Sequence, residues 1–440
     1  ASEGSLHSIV AEAVLNAPLM AKCALVRACL AVHDDNTLLH QITASPGNTA
    51  NSLLLGPIFH FIMRVCDHDL PMNRLYGFQT LESWLARLLV IPGQALFSTS
   101  TVYDSLVERF REITHVLTSA WSHPSRQVNH LVPNIYTKAV NALHLLQQAH
   151  VAVQSAPSAV AASQTAGEVL WAGLLAEALT MPAHHRGRYQ ALNMLLPYMG
   201  ADKILAAQPD IIHLLVSAVG TRDIASAASG FLSSLLGELY AAIRTPEGAV
   251  DSSSEAAVRA RWSGEVIRAL CQPANRKLRV HIADYLLPEL LKVDATCVPY
   301  MVQHIRSLEE AGQGSAELHG KLWGMVNFTL QARLNGLVGQ ATCTAGTETE
   351  SGNGITEQEL VLACVSADNE LRLVALTALV ASSRSAAPMD PLDMKVLRQT
   401  LRYSLKNSDA DHRHKIARIV KSLFLRLKES CRVGERDIVK

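Results

Sequence analysis

An excess of either charge is the first thing this sequence lacks: 39 lysines and arginines stand against 39 aspartates and glutamates. With no global surplus, composition alone points neither to a nucleic-acid binder nor to a membrane-surface protein. Aromatics are also scarce, at 5% of 440 residues, although 49% are hydrophobic. That apolar content excludes intrinsic disorder, and the length allows one large core or several domains. Paired cysteines are missing too. The eight, at 23, 29, 66, 271, 297, 343, 364 and 431, form no CxxC pair, which reads as reduced thiols in an intracellular protein of the cytosol or nucleus, with cytoplasmic localisation expected. The first apolar stretch carries Glu12, Asn16, Lys22 and Arg27 where a signal peptide would be clean, and the opening Ala1 reads as a fragment. The longest charge-free span, Ala139 to Gly167, contains His144, Gln147, Gln148, His150, Gln154 and Pro157, so no membrane segment is expected.

What the chain does contain is helical period. Leu75, Phe78, Leu81, Leu85 and Leu88 form one stripe, flanked by Trp84, and Ile416, Ile419, Val420, Leu423, Phe424 and Leu427 form another. Trp84 and Phe424 are therefore expected to be buried between helices. Leu and Ala outnumber the β-branched and aromatic types of strands, and no period-two run competes. The fold class expected is all-α. A phrase also recurs: a polar turn, a basic residue just inside a new helix, then an apolar stripe. It appears at Asp69–Arg74, Ser122–Arg126, Pro182–Arg188, Gln272–Arg279, Asp368–Arg372 and Ser408–Arg413, with arginine intervals of 52, 62, 91, 93 and 41 residues. The two long intervals are about twice a HEAT or armadillo unit of roughly 40 to 47 residues, and Thr221–Ala225 marks a weak intermediate repeat. The architecture expected is an α-solenoid of HEAT/armadillo-like helix pairs, in which each pair buries its face against its neighbours. Residues 1–340 would form a repeat array with insertions near 153–167 and 245–255, 341–356 a flexible loop, and 357–440 C-terminal repeats with a basic face.

Catalytic signatures are absent from the sequence. Nothing matches a GxxxxGK[ST] phosphate loop, a GxGxxG turn, a GxSxG elbow or an HExxH helix, so neither an enzyme nor a bound cofactor is expected. The best metal candidate, Cys66, Asp67, His68 and Asp69, has the wrong spacing for two ligands on one helical face. It reads instead as a helix end followed by an N-cap carboxylate at Asp69. His184 and His185 read as a polar turn.

The zero net charge conceals an asymmetry. Between Lys395 and Arg432 lie 11 basic residues and three acidic ones, a surplus of eight that the remaining 402 residues cancel. Lys395, Arg398, Arg402 and Lys406 follow at intervals of three, four and four, along one helical face. Arg413, Lys415, Arg418, Lys421, Arg426 and Lys428 continue the surplus, with Lys415, Arg418 and Lys421 off the apolar stripe and His412 and His414 at the helix start. These ten cations are the candidate phosphate-binding residues. A solvated face, or a surface for an acidic protein partner, is the competing reading.

The stretch HRHKIARIVKSLFLRLKES, His412 to Ser430, preceded by LRQTLRYSLKNSDAD from Leu397, resembles the segment just before the central domain of THADA-like proteins. RLYGFQTLESWL, Arg74 to Leu85, resembles the N-terminal repeats of the same family. The family's short Arg-rich, Ala-Gly-containing central motif does not occur here. The resemblance implies a large helical-repeat protein acting as the non-catalytic subunit of a tRNA ribose 2′-O-methyltransferase. An FtsJ-type partner, holding S-adenosylmethionine, would methylate nucleotide 32 of the anticodon loop while this chain helps present the tRNA. It implies an RNA-facing role for Lys395 to Lys428. The alternative function is a protein-binding solenoid without RNA.

Overall fold

A computed structural model describes residues 16–39, 53–92, 100–153, 157–243, 252–271, 275–295, 297–307, 315–337, 343–344, 355–384, 387–407 and 409–432. The chain folds as two compact units, Ala1–Gly200 and Ala201–Lys440. Their parting lies inside the array that the sequence reads as continuous to residue 340. Each unit is built almost wholly of helices stacked as pairs, the α-solenoid class expected.

In the first unit α1 (Leu19–Val32) and α2 (Asp35–Leu39) precede a π-helical turn, Leu54–Ile58, which contains Pro57 and leads into α3 (Phe59–Cys66). Then follow α4 (Pro71–Val90), α5 (Ser100–Ala120), α6 (Arg126–Val153), α7 (Pro157–Thr180) and α8 (Arg186–Met199). Helices α3, α5 and α7 make one layer, and α4, α6 and α8 the other. Trp84 is fully buried between Phe59 and Phe110, its indole N–H donating to the Leu54 carbonyl at 3.0 Å, as a buried indole requires. Gly77 lets α4 press on α3, since a Cβ there would sit 2.6 Å from the Cys66 backbone nitrogen.

The second unit contains α9 (Ala201–Ala207), α10 (Ile211–Ala218), α11 (Arg222–Ile243), α12 (Ser252–Cys271), α13 (Arg276–His281) with a π-turn Ile282–Leu286, α14 (Leu287–Val293), α15 (Cys297–Ser307) and α16 (Ser315–Leu334). After a two-residue parallel ladder between Cys343–Thr344 and Ile355–Thr356 come α17 (Glu357–Cys364), α18 (Asn369–Val380), α19 (Pro391–Leu405) and α20 (Ala410–Arg432). The first layer comprises α10, α12, α15, α17 and α19. The second comprises α11, α13–α14, α16, α18 and α20. The intermediate repeat marked at Thr221 is α11.

Three arginines of the recurring phrase lie near the start of α4, α6 and α8 in the first unit and three near the start of α13, α18 and α20 in the second, and four of the six perform one task. Arg74, Arg188, Arg372 and Arg413 each donate to a carbonyl of the turn just crossed, on His68, Met181, Ser366 and Asn407, at 3.1, 3.0, 2.7 and 2.7 Å. Carbonyls at the end of a helix have no intrahelical partner, and the arginine six or seven residues on supplies one. Arg279 instead lies 5.3 Å over the Trp323 ring.

Several local readings change. Residues 157–167, expected as insertion, begin α7, and 252–255 begin α12. Most of 341–356 lies outside the described residues. The N-cap of α4 is Leu70, not Asp69, and the His68 ring binds the Leu70 N–H and the Asn73 amide, which makes it a turn former. Among the described residues no group of side chains is placed to hold a metal, and no helix is long and apolar enough to cross a membrane.

Candidate nucleic-acid interface

The C-terminal cations are carried by α19 and α20, helices of different layers that pack against each other. Helix α19 starts sharply because the Asp390 carboxylate accepts the Leu392 N–H at 2.8 Å and Pro391 occupies the first turn, where no amide donor is needed. It buries Asp393, Val396, Leu397, Thr400 and Ser404. Position by position, that leaves Lys395, Arg398, Arg402 and Lys406 outside, as the spacing predicts. Lys395 is tied to Glu357 at 2.7 Å. Arg398, Arg402 and Lys406 are exposed and form no ion pair among the described residues.

Helix α20 buries His412, Ile416, Leu423 and Arg426, steps of four, seven and three that follow one face of a helix. Arg413, Lys415, Arg418, Lys421 and Lys428 are exposed. Lys415 is held by Asp411 at 2.7 Å, which keeps that carboxyl below its usual range. Arg418, Lys421 and Lys428 make no ion pair among the described residues.

Arg426 leaves the candidate set. It is 3% exposed, and its guanidinium donates to the carbonyls of Val380, Ala387 and Pro388 at 2.8, 2.7 and 2.6 Å, closing the end of α18 and the connection to α19. Beside it Arg333 binds the Ala378 carbonyl and the fully buried Asp393 carboxylate. Burial, and then the charge of Arg333, hold Arg426 below the usual arginine pKa. The stripe also shifts: Phe424, expected inside, is 65% exposed. The buried face runs through 416, 423 and 426, and a residue next in sequence to Leu423 is turned about 100° away from it. His412, at the helix start, is 1% exposed, and neither of its ring nitrogens has a hydrogen-bond partner among the described residues. Burial, then the Arg372 charge, lowers its pKa.

The surface thus holds two cationic rows in which six members, Arg398, Arg402, Lys406, Arg418, Lys421 and Lys428, are exposed without a carboxylate partner among the described residues. Such charges repel their like-charged neighbours one turn away and can exchange their counterions for phosphates.

Residues 260–440 match the family model of Trm732 TPR repeats. Over 365 residues, 80% of this chain and 18% of the relative, the sequence is 24% identical to the dog tRNA (32-2′-O)-methyltransferase regulator THADA. It is 22% identical to the human protein of the same name over 401 residues, 88% of this chain and 19% of that one. The chain therefore spans about a fifth of the length of these curated relatives. These are the proteins that the stretches at Arg74–Leu85 and His412–Ser430 resemble. A solved engineered protein, 12% identical and aligned over 93% of this chain and 97% of its own, has a TM-score of 0.25, too weak a likeness to carry any argument.

Proposed function

We propose, from the likeness to THADA regulators over most of the chain, that this protein is a non-catalytic, cytoplasmic helical-repeat regulator of tRNA 2′-O-methylation. It binds tRNA through the rows on α19 and α20 and works with an FtsJ-type methyltransferase that supplies S-adenosylmethionine chemistry at nucleotide 32. The observation that carries RNA binding is the set of six exposed cations without carboxylate partners among the described residues. Neutral overall charge is compatible with this, because phosphates respond to the potential of the face they meet. The test is charge reversal at Arg398, Arg402, Arg418 and Lys421, all to Glu. Loss of tRNA binding with unchanged helix content is expected, and unaltered binding at low salt would refute the reading.

A second reading, a scaffold for proteins alone, draws on one feature. A groove of ≈ 410 Å³ between α16, α18 and α20 is lined by Leu334, Val380, Ile419 and Leu425, with Arg384 and Arg418 beside them. An apolar segment carrying an acidic residue would fit it. Binding of a protein partner that survives high salt, without any RNA binding, would favour this alternative.

A further inference from the structure

The ridge on α19 ends at a pocket that a count of charges does not reveal. A hollow of ≈ 490 Å³ between the start of α18 and the end of α19 is lined by Ala367, Asn369, Arg372, Tyr403, Lys406 and Asn407. Arg372 is 6% exposed. Its terminal nitrogens donate to the Ser366 carbonyl and the Asn369 amide oxygen, and its Nε is buried without a hydrogen-bond partner among the described residues. Both acceptors are neutral. The guanidinium thus lies inside the fold with no carboxylate in ion-pair contact among the described residues. The nearby acid, Asp409, is occupied by the Asn369 amide at 3.3 Å and the Asp411 N–H at 3.0 Å.

Two exposed groups complete the hollow. Tyr403 is 49% exposed, and the Arg372 guanidinium carbon lies 5.8 Å from its ring centroid. Lys406, one turn on, is exposed and unpaired among the described residues. Asn407 closes the hollow's edge with its amide donating to the Asn369 side-chain oxygen at 3.0 Å. A fixed positive charge, a mobile ammonium and a half-open aromatic ring within one pocket match an anion joined to a flat ring. Inorganic phosphate would use only the cations, and an aliphatic partner would leave them unmatched.

We propose that this pocket is a single-nucleotide site, in which Tyr403 stacks an unpaired base while Lys406, in the field of Arg372, holds the adjoining phosphate. The proposal rests on the tRNA-binding reading and deepens it. Bases inside a duplex are stacked on each other, whereas bases in a loop can be splayed onto an aromatic side chain, so the site selects unpaired RNA.

The experiment titrates the full chain with two labelled RNAs, an anticodon stem-loop and a fully paired duplex with the same number of phosphates, and follows anisotropy. The wild-type chain should prefer the stem-loop. Tyr403→Ala should weaken the stem-loop by roughly 5- to 150-fold and leave the duplex unchanged. Tyr403→Trp should retain the preference, with its fluorescence quenched by the stem-loop and not by the duplex. Lys406→Gln should weaken both RNAs. Since Tyr403 is half exposed, unchanged melting of the alanine variant checks its fold. If Tyr403→Ala binds both RNAs like wild type while reversal at Arg398 and Arg402 still weakens both, the nucleotide site is overturned and the tRNA reading stands. If the wild-type chain binds neither RNA at low salt, both fall.

Discussion

At the scale of single residues, chemistry and position have to be read separately, and Arg402 and Arg426 show why. Both are cations of one basic run, yet one is exposed with no ion pair among the described residues while the other bonds through all three of its guanidinium nitrogens to three carbonyls. Arg426→Ala strands buried acceptors and should destabilise the chain by about 3 kcal/mol or more, without altering the salt dependence of RNA binding. Arg402→Ala should change stability by less than about 0.5 kcal/mol and weaken RNA binding. Denaturation and RNA titration of the two variants separate the roles, and equal loss of affinity with equal stability would contradict the assignment. The same logic divides the two aromatics. Trp84→Ala should cost about 3 to 5 kcal/mol, since the ring is enclosed and its N–H bonded. Phe424→Ala should stay within about 0.5 kcal/mol. Hydropathy ranks phenylalanine inside and arginine outside. It does not register that unpaired carbonyls at a helix end make an arginine the better core residue at 426.

At the scale of elements, α20 is docked by a face that begins with His412, and this makes its attachment sensitive to acid. The ring is buried without hydrogen-bond partners among the described residues, and its pKa lies below the ordinary value of 6.5, through burial and then Arg372. The unfolded chain therefore binds a proton that the folded chain refuses. The stability contributed is full above about pH 6.5 and is lost as pH falls through and below that value. His412→Leu removes this term, so the variant should gain relative to wild type as pH is lowered from 7.5 to 5. A stability difference constant across that range would refute the role. The elements themselves were largely legible, because the polar-turn-and-arginine phrase marks real joints: the arginine satisfies carbonyls that the preceding turn exposes. What stayed hidden was burial at the ends. His412 and Arg426 interrupt the apolar code at both edges of one face, and only the partner helix reveals that the face continues through them. Residues 157–167 read as loop because Ser and Ala are weakly patterned, yet Ala favours helix and α7 runs through them.

At the scale of the molecule, neutrality and RNA affinity cease to conflict once the charges are sorted by what holds them. Of the ten cations first grouped together, Arg426 is internal, Lys395 and Lys415 are matched by Glu357 and Asp411, and Arg413 braces a turn. Six remain exposed with no ion pair among the described residues, on two helices of different layers. For single-stranded contacts each phosphate neutralised contributes about 0.7 to the slope of log affinity against log salt. Engagement of all six predicts a slope near −4, and engagement of the α19 row alone predicts about −2. Reversing Arg398 and Arg402 should flatten the slope by one to two units, whereas reversing Lys395, already paired, should change it far less. A slope near zero in the wild-type chain would mean that the two rows serve solubility, and that the apolar groove beside α20 carries the binding instead.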